Sequence, residues 1–415
     1  MADNFQIIIL NFLADFWWLI SFVVLFPLAT NLWLWHKQSI YKKDISWIML
    51  EVKPPREVKK TPKAMEQILT ALYYLRNSPG NFFEKWLDGE ITKWFTLEIA
   101  SFGGETHFFV RAPADFKNII EASFYAHYPD CSINIANDYT ETVPSSTKEF
   151  YANGYDIFGS EFILEKDDPY PIRTYAQFEA LEEEQKIDPI SALLEGLGKL
   201  NKQENLWFQI NIRPSDPKWK EKGEKIIKEM SEKSVKAAKD AAPAPPLTPG
   251  ETDIIKAVEN NISKPGFDTV MRIFYFAPKP TFKDVFPNKG VLGILNQYSA
   301  MNLNSFKHNG NVRTKKPTWR DYPHFKTEQR FEGRKQRILR SYRNRDFPEE
   351  LVIGRLLSLN PSNFNFFSKY FVLNTEELAT IFHLPYYFVI TEPYIPKVES
   401  KRAGAPAGLD IFKEE

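Results

Sequence analysis

A run of twenty residues without a charged side chain, Phe16 to Trp35, constrains this sequence more than any other feature. At about 1.5 Å of rise per residue, a helix of that length matches the roughly 30 Å hydrocarbon thickness of a bilayer. The preceding MADNFQ holds an acid and no Lys or Arg, and no A-x-A pattern follows, which disfavours a cleaved signal. The run predicts a membrane-spanning helix, with a buried core helix as the alternative.

Tryptophans flank both ends of this run, as indoles do in the two headgroup regions of a bilayer. The predicted anchor residues are Trp17 and Trp18 at one end and Trp33 and Trp35 at the other. Lysines follow the run at positions 37, 42 and 43, whereas the N-terminal tail has none. The positive-inside rule then predicts a single-pass protein of the cytoplasmic (inner) membrane, with its N-terminus outside and its bulk in the cytoplasm.

Charge and cysteine content exclude several functional classes. The 53 Lys and Arg balance the 53 Asp and Glu, so the whole molecule carries no field that attracts nucleic acid. The single cysteine, Cys131, rules out an internal disulfide framework and a cysteine-rich zinc site, in agreement with a reducing compartment. Because Cys131 lies in a predicted strand with no partner constellation, we expect it to be structural.

Hydrophobic periodicity predicts an α+β domain over residues 44–150, after an anchor segment over 1–43. A strand is predicted over 45–52, and a helix begins at Pro62 with Thr61 as its cap. This helix has one apolar face, formed by Met65, Ile68, Leu69 and Leu72.

The rest of this domain predicts a hairpin, a helix and a strand. KWFTLEIASFGGETHFFVRAP alternates about Gly103-Gly104, which predicts a hairpin turn with positive φ. A helix over 115–127 and a strand over 131–136 follow. The order β-α-β-β-α-β is the split pattern of a ferredoxin-like domain.

A second α+β domain is predicted over residues 151–306. Strands are expected over 154–166, 206–214 and 268–278, with helices over 188–200, from Lys218, over 251–261 and near 290–302. The first of these helices places Ile190, Leu193, Leu194 and Leu197 on one side. The Ala- and Pro-rich stretch 237–250 predicts a mobile loop. The block echoes the first in topology, without a sequence repeat that proves duplication.

A basic, aromatic segment over 307–345 precedes a C-terminal α/β segment and tail over 346–415. Cations suit phosphates and rings suit bases, so the segment is a candidate for nucleic-acid contact. The alternatives are pairing with an acidic surface of the same protein and contact with anionic lipid beside the anchor. The candidate contact residues are Arg313, Lys315, Lys316, Arg334, Arg337 and Arg340.

Motifs of catalysis are missing from the sequence, and we predict neither an enzyme nor a catalytic, cofactor or metal site. Gly198-Lys199 is followed by Leu200 and lacks the first glycine of a phosphate-binding loop, and the six histidines show no helical metal spacing. Glu376 and Glu377 follow Asn374 in the first turn of a predicted helix, where capping explains them better than acid-base chemistry. His383, near the end of that helix, is expected to be structural.

Several ordered blocks together resemble a known family, although no single block is diagnostic. The blocks are LEVKPPREVKKTPKAMEQILTAL, IASFGGETHFFVRAPADFKNIIEASFYAHYPD, FILEKDDPYPIRTYAQFE with DPISALLEGLGKL, ENNISKPGFDTVMRIFYFAP with NLNSFK, and LNTEELATIFHLP. They resemble the membrane-anchored, non-ATPase N-terminal region of TraG-like and HerA-like conjugative DNA-transfer ATPases of candidate-phylum bacteria. The resemblance covers most of residues 40 to 403.

This resemblance implies a scaffold or adaptor of a type IV secretion-like translocation apparatus, with a TraG-like or HerA-like ATPase and envelope components as partners. In that family a RecA-like motor usually follows this region, and here the sequence reaches APAGLDIFKEE where the motor would begin. We therefore expect no ATP hydrolysis by these residues. A membrane-tethered nucleic-acid binder is the alternative function. Exposed sheet edges and Asn31 in the predicted span leave self-association open.

Overall fold

The computed structural model describes residues 2–55, 58, 60–179, 188–236, 247–300, 302–316, 326–351, 354 and 366–385. Over these residues the protein is a mixed α+β fold built on a nine-stranded antiparallel sheet. The helices are α1 (Ala2–Asp44), α2 (Pro62–Tyr74), α3 (Lys117–His127), α4 (Thr147–Ala152), α5 (Tyr175–Glu179), α6 (Ser191–Gly198), α7 (Trp219–Lys236), α8 (Pro249–Ser263), α9 (Val291–Leu295), α10 (Thr327–Asn344) and α11 (Thr375–Ile381). The strands are β1 (Trp47–Lys53), β2 (Phe95–Phe102), β3 (Glu105–Pro113), β4 (Ser132–Ala136), β5 (Tyr155–Leu164), β6 (Asn205–Pro214), β7 (Gly266–Pro278), β8 (Phe306–His308) and β9 (Phe371–Asn374).

The first half of the sheet follows the predicted element order β1-α2-β2-β3-α3-β4, and its strands lie in the order β4-β1-β3-β2. The predicted apolar face of α2 is confirmed, because the side chains of its four predicted residues are fully buried. Thr61 occupies the N-cap position of α2, but its side chain makes no capping hydrogen bond. Pro62 opens the helix, as predicted.

The predicted hairpin is confirmed between β2 and β3. Gly103 and Gly104 form its two-residue turn with φ angles of +60° and +95°, a region that glycine adopts without strain. The turn is pinned to the second half of the sheet, because the backbone N–H of Gly103 donates to the carbonyl of Glu204 at 3.0 Å.

The second half repeats the strand arrangement of the first. β5, β6, β7 and β8 occur in that order along the chain and lie in the order β6-β7-β5-β8 across the sheet. This order is the mirror image of β4-β1-β3-β2 when the strands of each half are numbered from one to four. The helical pair α7 and α8 stands between β6 and β7, where the first half has the tight turn.

The two halves join through the pairing of β2 with β6, which we call the seam. The pairing runs from Phe95 opposite Ile212 to Phe102 opposite Asn205. Both predicted α+β blocks therefore contribute strands to one sheet. A final strand, β9, pairs with the beginning of β7 and brings the C-terminal segment to the same sheet.

The two faces of the sheet are covered by different elements. On one face the main core forms under helices that include α2, α3, α6 and α11, represented by Met65, Ile120, Leu193 and Leu378. On the other face a smaller aromatic core, centred on Trp207, packs under α4 and α10. Strand residues alternate between these two cores, as the period of two in a β-strand requires.

Several predicted boundaries differ from those of the structure. The helix predicted near 290–302 ends much sooner, because α9 gives way to a short turn at Asn296. The helix predicted from Glu251 begins at Pro249, where Thr248 and Glu251 form a capping box. Most of the predicted mobile loop, residues 237–246, lies outside the described residues.

Substituting Gly103 with Ala should destabilise the fold more than substituting Gly154, although both glycines have positive φ. A Cβ on Gly103 would lie 2.6 Å from the carbonyl oxygen of Lys202, whereas one on Gly154 would meet no atom within 4 Å. We expect Gly154→Ala to cost about 1 kcal/mol of unfolding free energy and Gly103→Ala about 3 kcal/mol. Urea denaturation of the full-length chain measures both, and equal costs would contradict the proposed packing of the turn against the seam.

Candidate functional site

The N-terminal helix α1 has an exposed apolar part and a part that packs on the folded body. In the exposed part the large apolar side chains are 39 to 63 % accessible: Trp18, Phe22, Val23, Leu25, Phe26, Leu28, Leu32 and Trp33. Leu34, directly after them, is only 4 % exposed. Among helices whose side chains are described, none presents an apolar stretch of the length needed to traverse a bilayer.

The predicted anchor tryptophans have different environments. The side chain of Trp17 lies outside the described residues, and that of Trp18 is 58 % exposed. Trp33 is 48 % exposed and donates its indole N–H to the carbonyl oxygen of Trp86 at 2.8 Å. Trp35 is half-buried beside Gly354, whose hypothetical Cβ would lie 3.0 Å from the indole. The second pair therefore marks the point where α1 meets the body.

A segment that the sequence analysis did not single out, residues 81–90, packs against this end of α1. Gly89 has a φ of +72°, and a Cβ there would lie 2.4 Å from the backbone carbonyl carbon of Lys37. The Tyr41 hydroxyl also donates to Glu90 at 3.5 Å. The available signal was the pair of phenylalanines and the tryptophan in NFFEKWLDGE, which are unusual for a polar connection.

The six basic candidates do not form one exposed row. Lys315, Lys316 and Arg340 are exposed, whereas Arg313, Arg334 and Arg337 are half-buried. The aromatic residues between 317 and 325 lie outside the described residues. Within the part that is described, the exposed basic surface is thus smaller than the sequence alone suggests.

Two of the half-buried arginines have partners inside the protein. The Arg313 guanidinium donates to the side-chain oxygen of Asn288, and Arg337 stacks on the Phe366 ring at 4.4 Å from its centroid. Burial lowers the pKa of both guanidinium groups, although each stays protonated at neutral pH. These contacts hold the basic segment on the body and leave fewer cations for a phosphate backbone.

Beneath α10 a polar row crosses the middle of the sheet. It consists of Glu98, Gln209, Arg272 and Glu161, which stand opposite one another on β2, β6, β7 and β5. Each side chain is at most 1 % exposed. Arg272 Nε donates to Glu161 Oε1 at 2.8 Å, and Gln209 Nε2 donates to Glu98 Oε1 at 2.8 Å. The row therefore spans the seam and ties both halves together.

Arg345, just after α10, completes this row. Its Nε donates to Glu98 Oε1 at 2.8 Å, and its Nη1 donates to Asp138 Oδ2 at 2.7 Å. Burial alone would lower the pKa of Arg345, but the Glu98 carboxylate raises it well above the usual value. Arg345 adopts φ +56°, which turns the chain after α10 and directs the guanidinium into the sheet.

Two buried tyrosines cover the Glu98 carboxylate. Tyr139 donates its hydroxyl hydrogen to Glu98 Oε2 at 2.8 Å, and the Tyr342 hydroxyl lies 2.9 Å from the Tyr139 hydroxyl. Burial raises the pKa of both phenols well above the usual value, so both stay neutral. The buried charges are matched by opposite charges, which favours a role in fixing strand register and the position of α10.

A cleft with a volume of about 710 Å³ lies where β5, α7, α8 and β9 converge. Its lining mixes acids and bases, including Asp168, Lys166 and Lys307. Burial raises the pKa of Asp168. Among the described lining residues no nucleophile is paired with a base.

The residues predicted to be structural have structural partners. Asn374 and Glu377 form a capping box at the start of α11, which confirms the predicted capping role for Glu377, whereas Glu376 pairs with Lys264 at 2.6 Å. Burial raises the pKa of Glu377 to about 8. His383 is fully buried and contacts the Ala379 carbonyl and the Asp188 carboxylate. Burial also raises the pKa of Cys131 to about 11, so it remains a thiol at neutral pH. Over the described ranges, no group of three acidic, His or Cys side chains is placed to hold a metal.

Comparison with known proteins gives one family. Residues 25–284, more than half of the 415 residues, match the family described as Domain of unknown function (DUF8128). No curated protein matches the sequence. The matched range begins within α1 and contains β1 to β7, and therefore both strands of the seam.

Replacing Glu98 and Arg345 separately and together should reveal strong coupling. Removing Arg345 leaves the buried Glu98 carboxylate without its hydrogen-bonded cation, and removing Glu98 leaves the buried Arg345 with the Asp138 carboxylate as its remaining ion-pair partner. We expect Glu98→Gln or Arg345→Met alone to cost about 3–5 kcal/mol of unfolding free energy. The double variant should recover a substantial part of the summed cost. Urea denaturation of the full-length chain gives the four values of this cycle.

The exposed pair Lys225 and Glu229 on α7 is the matched control, because both side chains are at least 60 % exposed. Lys225→Met should cost less than about 1 kcal/mol. Additive effects at Glu98 and Arg345, or costs as small as that of the control, would contradict the role assigned to the polar row.

Proposed function

We propose that this chain, which belongs to the DUF8128 family, is a membrane-anchored scaffold that docks a partner ATPase in a type IV secretion-like translocation apparatus. The proposal of a membrane anchor rests on the exposure of large apolar side chains along the first part of α1. These side chains are distributed around the helix instead of along one stripe, which is typical of a helix surrounded by lipid or protein.

The polar groups of this part of α1 are compatible with a lipid environment. Asn31 Nδ2 donates to the carbonyl oxygen of Pro27 at 2.7 Å, and Thr30 Oγ1 donates to the same oxygen at 3.0 Å. Each side chain thus donates a hydrogen bond within the helix, which lowers the cost of placing it in a bilayer. The uncharged run of the sequence also includes side chains outside the described set, at positions 16, 17, 19, 20 and 24.

The proposed location is the inner membrane, with the body on the cytoplasmic side. The lysines of α1 support this orientation, since Lys37, Lys42 and Lys43 all follow the exposed apolar part. Lys42 lies 3.7 Å from the Glu349 carboxylate, at the side of α1 that meets the body. The apolar part and the body therefore lie at opposite ends of one continuous helix.

We further propose that each half of the sheet is a ferredoxin-like unit. The support is the strand order, in which the fourth, first, third and second strands of each half are neighbours. In the first half, the two connecting helices α2 and α3 pack together. Such a doubled platform offers surfaces for a partner without any catalytic group.

The partner proposal rests on the resemblance to membrane-anchored regions of conjugative ATPases. Physically, an anchor confines the body and a membrane-associated motor to one surface, so weak contacts are strengthened by effective concentration. Of the six candidate residues for the alternative, nucleic-acid binding, three are exposed: Lys315, Lys316 and Arg340. This smaller set makes the scaffold the better-supported function.

Affinity purification from detergent-solubilised membranes should recover an ATPase with a phosphate-binding loop, together with envelope components. We expect the double variant Leu25→Arg with Phe26→Arg to lose this recovery, because two charges in the apolar part each cost about 2.5–3.5 kcal/mol on insertion. The variant Phe26→Leu keeps the helix apolar and should retain it. Recovery of neither class of partner by the unmodified chain in repeated purifications would contradict the proposed function.

A further inference from the structure

Beside the point where α1 meets the body, the segment Asn81–Asp88 exposes an aromatic cluster. The side chains of Phe82 and Phe83 are 65 and 66 % accessible, and Leu87 is 46 % accessible. The ring of Phe82 stacks on Trp86 with centroids 5.9 Å apart. A cluster of large apolar side chains in this arrangement is characteristic of a binding surface.

The segment is held in shape by its own hydrogen bonds. The backbone N–H of Glu84 donates to Asn81 Oδ1 at 2.9 Å, and the Glu84 carboxylate accepts from the backbone of Gly80 at 2.6 Å. Gly89 ends the turn in the left-handed region that favours glycine. The two phenylalanine rings are therefore exposed on a preformed turn, with little ordering required on binding.

The segment also contacts α1 at a defined position along the helix, between Trp33 and Lys37. The Trp33 indole bonds to the backbone of Trp86, and Gly89 packs directly on the backbone of Lys37. Trp33 is near the end of the uncharged run, and Lys37 is the first lysine after it. The aromatic cluster thus lies beside the part of α1 where apolar sequence changes to basic sequence, which is the level of a bilayer interface.

We propose that the segment Asn81–Asp88 is a second membrane contact, in which Phe82, Phe83 and Leu87 enter the interfacial region of the lipid beside α1. This inference rests on the proposed membrane anchoring and adds a second attachment point to it. Lipid is favoured over a protein partner because the cluster is continuous with the exposed apolar surface of α1 through Trp33 and Trp86. Two attachment points would restrict how the body tilts and rotates about α1.

Spin labels on single cysteines test this contact in the full-length chain, reconstituted in vesicles of phosphatidylcholine and phosphatidylglycerol. Labels are placed at Phe83→Cys and Leu87→Cys in a Cys131→Ala background, and the accessibility of each label to oxygen and to a water-soluble nickel complex is measured. Phe22→Cys serves as the reference for the anchor. Val285→Cys is the matched control, because Val285 is 65 % exposed and follows β7, near the Gly103 end of the sheet.

We expect the ratio of oxygen to nickel accessibility at positions 83 and 87 to be several-fold higher than at position 285. An aqueous ratio at 83 and 87 with a lipid ratio at 22 would overturn this inference and leave the anchor intact. Aqueous ratios at all four positions would overturn the anchor as well. Low accessibility to both reagents at 83 and 87 would indicate a protein partner and would likewise overturn the lipid contact.

The double variant Phe82→Ser with Phe83→Ser provides an independent readout. Because both side chains are exposed, the substitutions should leave the circular dichroism spectrum of the chain unchanged. The label at position 87 should then lose its high oxygen-to-nickel ratio, whereas the label at position 22 should keep it. An unchanged ratio at position 87 would show that the phenylalanines do not hold the segment in the interface.

Discussion

The pairing of β2 with β6 is the interaction on which the rest of the structure depends. It joins two four-stranded arrangements into one sheet, and the hydrogen bond from Gly103 to Glu204 continues it past the last strand pair. The polar row crosses this seam, with Glu98 on one side and Gln209 on the other. A slip of one residue would place Glu98 in the apolar core of the opposite face, so the buried charges specify the register.

The position of α1 on the body is set by contacts of residues 33–37. Leu34 is buried, Trp33 bonds to the backbone of Trp86, and Gly89 touches the backbone of Lys37. α1 is therefore one continuous helix from its exposed apolar part to the part that packs on the body. The proposed anchor would therefore keep the sheet close to the bilayer.

Local sequence signals were sufficient to predict many elements of the fold. The apolar spacing from Met65 to Leu72 predicted α2, and Gly103-Gly104 predicted the hairpin, because both depend on neighbouring residues. The pairing of the two blocks could not be predicted in this way, because the partner of β2 is β6, a strand far along the chain. Glu98 and Arg272 alternate with apolar neighbours, which is also the pattern of a solvent-facing side. They are buried by residues far along the chain, which include Tyr139 and helix α10.

The candidate sites were predicted less completely than the fold. The sequence identifies Arg313 and Arg337 as cations but does not show that their side chains pack on the body. Their half-burial depends on contacts with Asn288 and Phe366, which lie elsewhere in the chain. The exposed Phe82 and Phe83 were overlooked, because two aromatic residues in a connection have no period to reveal them. The capping role of Glu377 was predictable, since a capping box is a local pattern.

The proposed function depends most on whether α1 is inserted in lipid. Washing membranes that contain the full-length chain with alkaline carbonate tests this directly, because the treatment releases proteins held by surface contacts and retains those that cross the bilayer. A chain inserted through α1 is expected to stay with the membrane pellet. Release of the chain into the supernatant would contradict it.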